Sequence, residues 1–436
     1  MTAVHETPVG TAVPLSRARR RLALIALALG GFGIGSSEFV TMGLLPDIAA
    51  GLLPEMMATQ PEQGLARAGW AISAYAIGVV IGAPLLSLLA VRMSRSRLIV
   101  VFAILLTLST LASGIMPSFE LTLAARFVAG LPHGAYLGLA ALLASSLMGP
   151  GSQGKGAAVA LSGLTVANLA GVPLLTALGQ AQGWRAAYLV IAGVFALTVV
   201  LVAATVPAQP AQPAPRGRRV GDELRAFTRV QLWVVMLIAS VGFAGSFAVF
   251  SYIADIGQQV AGLSPAFIPV LLAVAGLGMT IGNAIGGFTT DRSLNGTLLV
   301  AFPLYIAALV VMIFAVTSPV GLTIAFFLTN LGHATLGPAM QTWLMRIAGP
   351  SEMLGASLHH AAFNIANALG ALLGGSVISA GFGLAAPTVV GAAVATLGFA
   401  MLLATFALLE IRARRFRQRV EDARIQDSAL ERTAVG

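Results

Sequence analysis

The sequence predicts an all-α integral membrane protein, with twelve transmembrane helices in two pseudo-symmetric six-helix bundles. Three observations predict it. The first is composition. Of 436 residues, 57% are hydrophobic and 9% charged, against about 25% charged in soluble domains, and the mean hydropathy is +0.90. The second is the length of the apolar runs. They far exceed the roughly 9–11 residues of a barrel strand and lack its alternation, so the spans are helices. The third is an internal repeat. GLPHGAYLG at 130–138 answers NLGHATLGP at 330–338, setting His133 and His333 200 positions apart. Gly149-Pro150 with Gly349-Pro350, and Ile81-Gly82 with Ile281-Gly282, keep that offset. Ala167-Asn168 with Gly171 matches Ala366-Asn367 with Gly370, and Asp47-Ile48 matches Asp255-Ile256. Each match is weak alone. Their agreement over four helix pairs carries the repeat, an architecture that binds solute between its halves.

The elements follow in order. A tail, 1–21, ends in Arg17, Arg19, Arg20 and Arg21. The run after it is too long for a signal peptide and has no clear cleavage site, so it stays as the first span. The N-terminal bundle is 22–206, with apolar cores at 22–50, 67–90, 98–116, 119–148, 154–179 and 185–206. VPAQPAQPAPRGRR at 206–219, rich in proline and then arginine, marks a linker over 207–229. The C-terminal bundle is 230–410, with cores at 230–254, 265–288, 297–317, 320–347, 354–379 and 384–410. Each core can cross a bilayer at about 20 residues per span. A basic tail, 411–436, contains RARRFRQR at 412–419, suited to anionic lipid.

Charge sets the orientation and excludes other classes. Arg17 to Arg21, Arg92, Arg95, Arg97, Lys155, the 216–229 cluster, Arg292, Arg346 and Arg412 to Arg419 fall on one side, and little beyond Arg67 and Arg185 on the other. The positive-inside rule then makes both termini cytoplasmic. The sequence pI of 11.1 is no signal for nucleic acid, because these charges flank spans. There is no cysteine, so no disulfide and no thiolate chemistry. The 49 glycines sit in apolar context with no Lys-Ser/Thr after them, which fits helix packing and not phosphate binding. Without a nucleophile constellation, cofactor motif or nucleotide loop, neither an enzyme nor an ATP-driven pump is expected, and no cofactor or metal.

Of sixteen acids, Glu38 alone lies at mid-span. A carboxylate there costs ~2.5 kcal/mol or more unless it is paired, wetted or protonated. It reads as a proton acceptor or counter-charge for a cationic solute; the plainer reading bonds it to Ser36, Ser37 or Thr41. Its repeat counterpart, Ser246, carries no charge, so proton coupling is expected in the N-terminal bundle.

The stretches SSEFVTMGLLPDIA (first span), ARFVAGLPHGAYLG (fourth), GLTVANLAGVPLLTALGQAQGWR (fifth) and GNAIGGFTTDR (end of the eighth) resemble the major facilitator superfamily. More narrowly they resemble its twelve-helix drug:proton antiporters, the branch of arabinose-efflux-like, chloramphenicol-resistance and purine-nucleoside exporters. The resemblance covers about 22–412. It implies a place for Arg126 near the proton pathway, and gating motifs at Arg92, at Gly287, Asp291 and Arg292, and at Gly171 with Pro173. The sequence departs from the family at Ala90, near the place of an acid, and at Val172, which separates Gly171 from Pro173.

The remaining candidates follow from position. Arg126 is the only basic residue well inside a span, with snorkelling as its plainer reading. His133 follows it by two turns; an unshifted imidazole titrates near pH ~6.5, so it is a candidate to exchange a proton or bond a solute, with interhelical hydrogen bonding as its plainer reading. Asn168, Asn283, His333, His360, Asn364 and Asn367 are mid-span polar groups for solute contact or for helix–helix hydrogen bonds. His360, Asn364 and Asn367 share a face, from which His359 points away. Phe247 and Tyr252, with Tyr75, Phe243, Phe250 and Phe363, are candidate aromatic walls. Asp47 and Asp255 end matching helices on the outer side, as a gate or as solvated helix ends. The expectation is a monomeric, proton-coupled exporter of a small amphipathic solute (drug, sugar or nucleoside) in a bacterial inner membrane. A nutrient importer and a non-transporting sensor are the alternatives.

Overall fold

The computed structural model describes residues 16–89, 94–149, 153–207, 228–348 and 352–434. Arg92, Ala90, most of the linker and tail residues 1–15 lie outside them. Among the described residues, twelve helices are long and apolar enough to cross a membrane: α1 (Arg17–Gly43), α2 (Pro61–Gly82), α3 (Arg95–Ile115), α4 (Phe119–Met148), α5 (Leu161–Gln182), α6 (Trp184–Thr205), α7 (Val230–Phe250), α8 (Pro265–Arg292), α9 (Leu294–Ala315), α10 (Pro319–Ala348), α11 (Leu358–Phe382) and α12 (Ala386–Ile411). Their even number puts the start of α1 and the end of α12 on one side, here the termini side; the opposite side is the far side.

Proline shapes several of these helices, because it lacks an N–H and clashes with the carbonyl four residues back. The apolar run at 22–50 is therefore not one span. The chain breaks at Leu44 and re-forms a short helix, Leu45–Leu52, with Pro46 at its second position. In α4, Pro132 separates Phe119–Gly130 from His133–Met148. In α5, Pro173 follows a π-turn over Ala167–Gly171, which carries Asn168. Beyond the last span the helix continues to Ala434, so the basic tail is helical.

Each half has its own packed core. One cluster is built from α1, α3, α4 and α6, the other mainly from α7 to α12. Large apolar side chains such as Leu174, Phe314 and Val320 are 68% or more exposed and form the lipid-facing surface. The halves meet through α2 against α11 and α5 against α8, two contacts that the repeat makes equivalent. The seam is closed on the far side, where Met42, Leu45, Leu65, Ala68 and Ile72 join one apolar cluster with Tyr252, Ile253 and Ala254.

Candidate functional site

A cavity of about 570 Å³ lies between the halves at mid-membrane. Glu38, Phe39, His133 and Asn168 line one wall; Phe243, Asn283, His333, His359, His360 and Asn364 line the other. Further lining residues, Leu161 and Ser162 early in α5 and Gln341 late in α10, extend it towards the termini side.

Glu38 is 2% exposed. Its partner is neither Ser36, Ser37 nor Thr41 but Asn367, from the other half: Asn367 Nδ2 donates to Glu38 Oε1 at 3.2 Å. The neighbouring hydroxyls are otherwise placed. Thr41 Oγ1 meets the Tyr188 hydroxyl at 2.7 Å, and Ser37 receives Arg126.

Arg126 does not snorkel. It is 1% exposed, held by carbonyl and hydroxyl oxygens. Nη1 donates to the Ser37 carbonyl at 2.9 Å and to Ser37 Oγ at 3.1 Å, and Nε to the Ala71 carbonyl at 3.3 Å. The guanidinium also lies over the Tyr75 ring at 4.3 Å. Tyr75 Oη in turn shares a 3.0 Å hydrogen bond with His133 Nδ1. The Pro132 break lies between Arg126 and His133, so Tyr75, and not a common helix face, joins them. Arg126, Tyr75 and His133 thus form one connected buried cluster, with the cation bonded to Ser37, the residue next to Glu38.

The opposite wall is aromatic and imidazole-rich. His333 packs against Phe243 at 4.7 Å, Phe247 at 5.5 Å, Phe363 at 5.6 Å and Tyr305 at 6.0 Å between ring centroids. His333 Nδ1, His359 Nδ1 and Asn364 Oδ1 are buried without a hydrogen-bond partner among the described residues. Rings offer stacking faces and these atoms offer polar contacts, the pairing expected of a site for amphipathic small molecules.

The chain that builds this cavity has known relatives. A family model described as the Major Facilitator Superfamily matches residues 27–356. The chain belongs to the Major Facilitator Superfamily. Inner membrane transport protein YdhP of Escherichia coli (strain K12) is 36% identical over 380 residues, 87% of this chain and 94% of that protein. A chloramphenicol resistance protein of Streptomyces lividans is 31% identical over 358 residues, 82% of this chain and 89% of that protein. Among solved structures, a D-xylose–proton symporter matches in fold, with a TM-score of 0.68 at 15% identity over 87% of this chain and 96% of that one. The protein is therefore a multi-pass secondary transporter of small molecules, and not an enzyme.

Not every candidate lines the cavity of this Major Facilitator carrier. His359, expected to point away, lines it beside His360, with 5.7 Å between ring centroids. Asn367 lies behind the wall and meets Glu38. Phe247 supports His333 from behind. Tyr252 belongs to the far-side closure, where its hydroxyl donates to the Ala371 carbonyl at 2.8 Å and a methyl group on Gly69 of α2 would collide with it. Gly171 and Pro173 are buried, Gly171 against Phe32 and Ser36 of α1. Asp291 and Arg292 are exposed at the end of α8, Arg292 over the Phe288 ring at 3.8 Å. Asp255 is no solvated helix end: it is 1% exposed, while Asp47 is half-buried.

Proposed function

We propose that this carrier exports a small amphipathic organic solute in exchange for protons, with Glu38 as the proton-binding group. One observation carries the reading. The sole mid-span acid lines the cavity and is hydrogen-bonded across the seam to Asn367. A group so placed feels both the occupancy of the cavity and the relative position of the two halves. The arginine-rich termini side is taken as cytoplasmic by the positive-inside rule, so the form described is inward-facing. Solute entering from the cytoplasm meets the aromatic and imidazole wall and displaces the proton from Glu38. The halves then rock about the α2–α11 and α5–α8 contacts, solute leaves outward, and Glu38 is reprotonated. Likeness to a chloramphenicol resistance protein supports the outward direction. The protein acts as a monomer in a bacterial inner membrane, its halves together forming one cavity.

Inside-out vesicles test this. With an acid interior, the unaltered protein should accumulate a drug, sugar or nucleoside substrate, and Glu38→Gln should bind it without gradient-driven accumulation. Full accumulation by Glu38→Gln would remove Glu38 from the proton path. Uptake only in right-side-out vesicles would make the protein an importer.

A further inference from the structure

Asp47 and Asp255 occupy repeat-related places. Each lies three residues beyond a helix break of the same shape, at Leu44 (φ −109°, ψ 15°) and at Tyr252 (φ −117°, ψ 15°). The segment Ile253–Asp255 packs across the seam against both α1 and the short helix Leu45–Leu52, which carries Asp47. The segments that carry the two acids thus come from opposite halves and pack against each other in the closure.

Asp255 has an unusual environment there. Gln259 Nε2 donates to its Oδ1 at 3.3 Å, whereas its Oδ2 is buried with no hydrogen-bond partner among the described residues. The arginines of the far side are engaged elsewhere. Arg67 pairs with Glu120 at 3.1 Å; Arg185 donates to the Met116 carbonyl and stacks on Trp184. Around Asp255, the titratable groups are Tyr252 on its own segment and Asp47 on Leu45–Leu52. On α1 they are Glu38 at mid-membrane and the arginines of the termini-side end. Glu55 and Glu62, in the first turns of Pro54–Thr59 and Pro61–Ala68, add more acid and no cation. A buried carboxylate facing another acid without a cation is costly, and a bound proton removes most of that cost.

We infer that Asp47 and Asp255 together hold one proton in the far-side closure, as a second proton site whose release favours opening on that side. Desolvation pushes the Asp255 carboxyl up to about 7, and the nearby Asp47 charge adds to the rise; burial also raises Asp47. In the closed form the proton therefore stays bound up to about pH 7, whereas a solvated aspartate releases it near pH ~4. Protonation stabilises closure at acid external pH, and that support is lost as the pH rises through about 7. The inference rests on alternating access with the far side external. It does not require Glu38 to be the transport proton's site.

Because the chain has no cysteine, a single introduced thiol reads the closure. Ala68 is fully buried and packs in the cluster with Tyr252 and Ile253. Ala68→Cys should react with a membrane-impermeant maleimide only when the far side opens. Rates divided by those at the exposed site of Gln60→Cys remove the thiol's own pH dependence. The ratio should rise roughly tenfold between external pH 6 and 8. Asp255→Asn should hold it low across the range, Asp255→Glu should keep the rise, and Asp47→Asn should move its midpoint to lower pH. Glu38→Gln should keep the rise while losing gradient-driven export, which separates this site from the mid-membrane one. A flat ratio in the otherwise unaltered protein, or the same rise in Asp255→Asn, overturns the inference.

Discussion

Glu38 and Asn367 hydrogen-bond across the seam, Nδ2 donating to Oε1 at 3.2 Å, although 329 positions separate them in the chain. Both are buried, at 2% and 0% exposure. The bond exists only while α1 and α11 keep this relative position, so it links the state of the acid to the arrangement of the halves. Removing one partner leaves the other buried and unpaired, at a cost of about 1–3 kcal/mol. Asn367→Ala should therefore slow gradient-driven transport about tenfold or more. Initial rates in proteoliposomes at fixed pH gradient measure this. Parental rates in Asn367→Ala would show that the amide only fills space.

Arg126 binds through geometry as much as through charge. Its Nη1 and Nε reach two backbone carbonyls on different helices, at Ser37 and Ala71. A lysine carries the charge on a single nitrogen and lacks the planar fork whose Nη1 and Nε meet the two carbonyls, so it does not reproduce this geometry. Arg126→Lys should lose most transport activity while inserting normally. Its thermal transition in detergent should also fall, by the equivalent of about 1–3 kcal/mol, because a buried carbonyl loses its donor. If Lys supports parental transport, the positive charge alone is sufficient and the bridge between α1 and α2 is incidental.

What could be read from the sequence was what depends on local pattern. Hydropathy runs counted twelve spans, and matched offsets such as His133 with His333 revealed the two halves. The depth of Glu38 and Arg126 followed from their positions within those runs. Partners did not follow. Tyr75 lies on α2, yet it joins Arg126 to His133 on α4; helix packing alone creates that link. Asn367 looked like a solute contact because it shares a face with His360 and Asn364, which do line the cavity, but about a turn further along α11 that face meets α1, and Asn367 bonds Glu38 instead. His359 lines the cavity although one helical step separates it from His360, since a wide cavity accepts two adjacent directions. Burial of Asp255 was hidden for a different reason. An acid at the end of an apolar run reads as solvated until the opposing half is known to cover it.

The imidazole–aromatic wall should set affinity more than rate. Phe243 lies 4.7 Å from His333 and also flanks His359 at 6.4 Å. A stacked ring pair contributes about 0.5–1.5 kcal/mol beyond its buried area. Phe243→Ala should raise the half-saturation concentration for aromatic substrates about tenfold at most, with a smaller change in maximal rate. Phe243→Leu keeps apolar volume but no ring face, so a comparable loss there would assign the effect to stacking. Equal loss for substrates without rings would instead indicate a collapsed wall.

α1 and α5 approach each other closely on the termini side of Glu38, at Gly163. A methyl group on Gly163 would collide with the Ala28 carbonyl oxygen and lie 2.6 Å from the Phe32 backbone nitrogen. Both are backbone atoms of α1, so no side-chain rotation relieves the contact. Overpacking of this kind costs about 1–3 kcal/mol, and where α1 yields as a unit it shifts Glu38 relative to Asn367. Gly163→Ala should therefore lower the thermal transition in detergent and slow proton-coupled transport together. Gly193 on α6 provides the contrast, because nothing lies within 4 Å of the position its Cβ would take. Gly193→Ala should leave transport unchanged and raise stability by about 0.5–1 kcal/mol through helix propensity. If Gly163→Ala slows transport without lowering the transition, α1 has moved as a unit and the altered Glu38–Asn367 geometry is the cause. If it lowers the transition while sparing transport, α5 has given way and Glu38 has stayed in place.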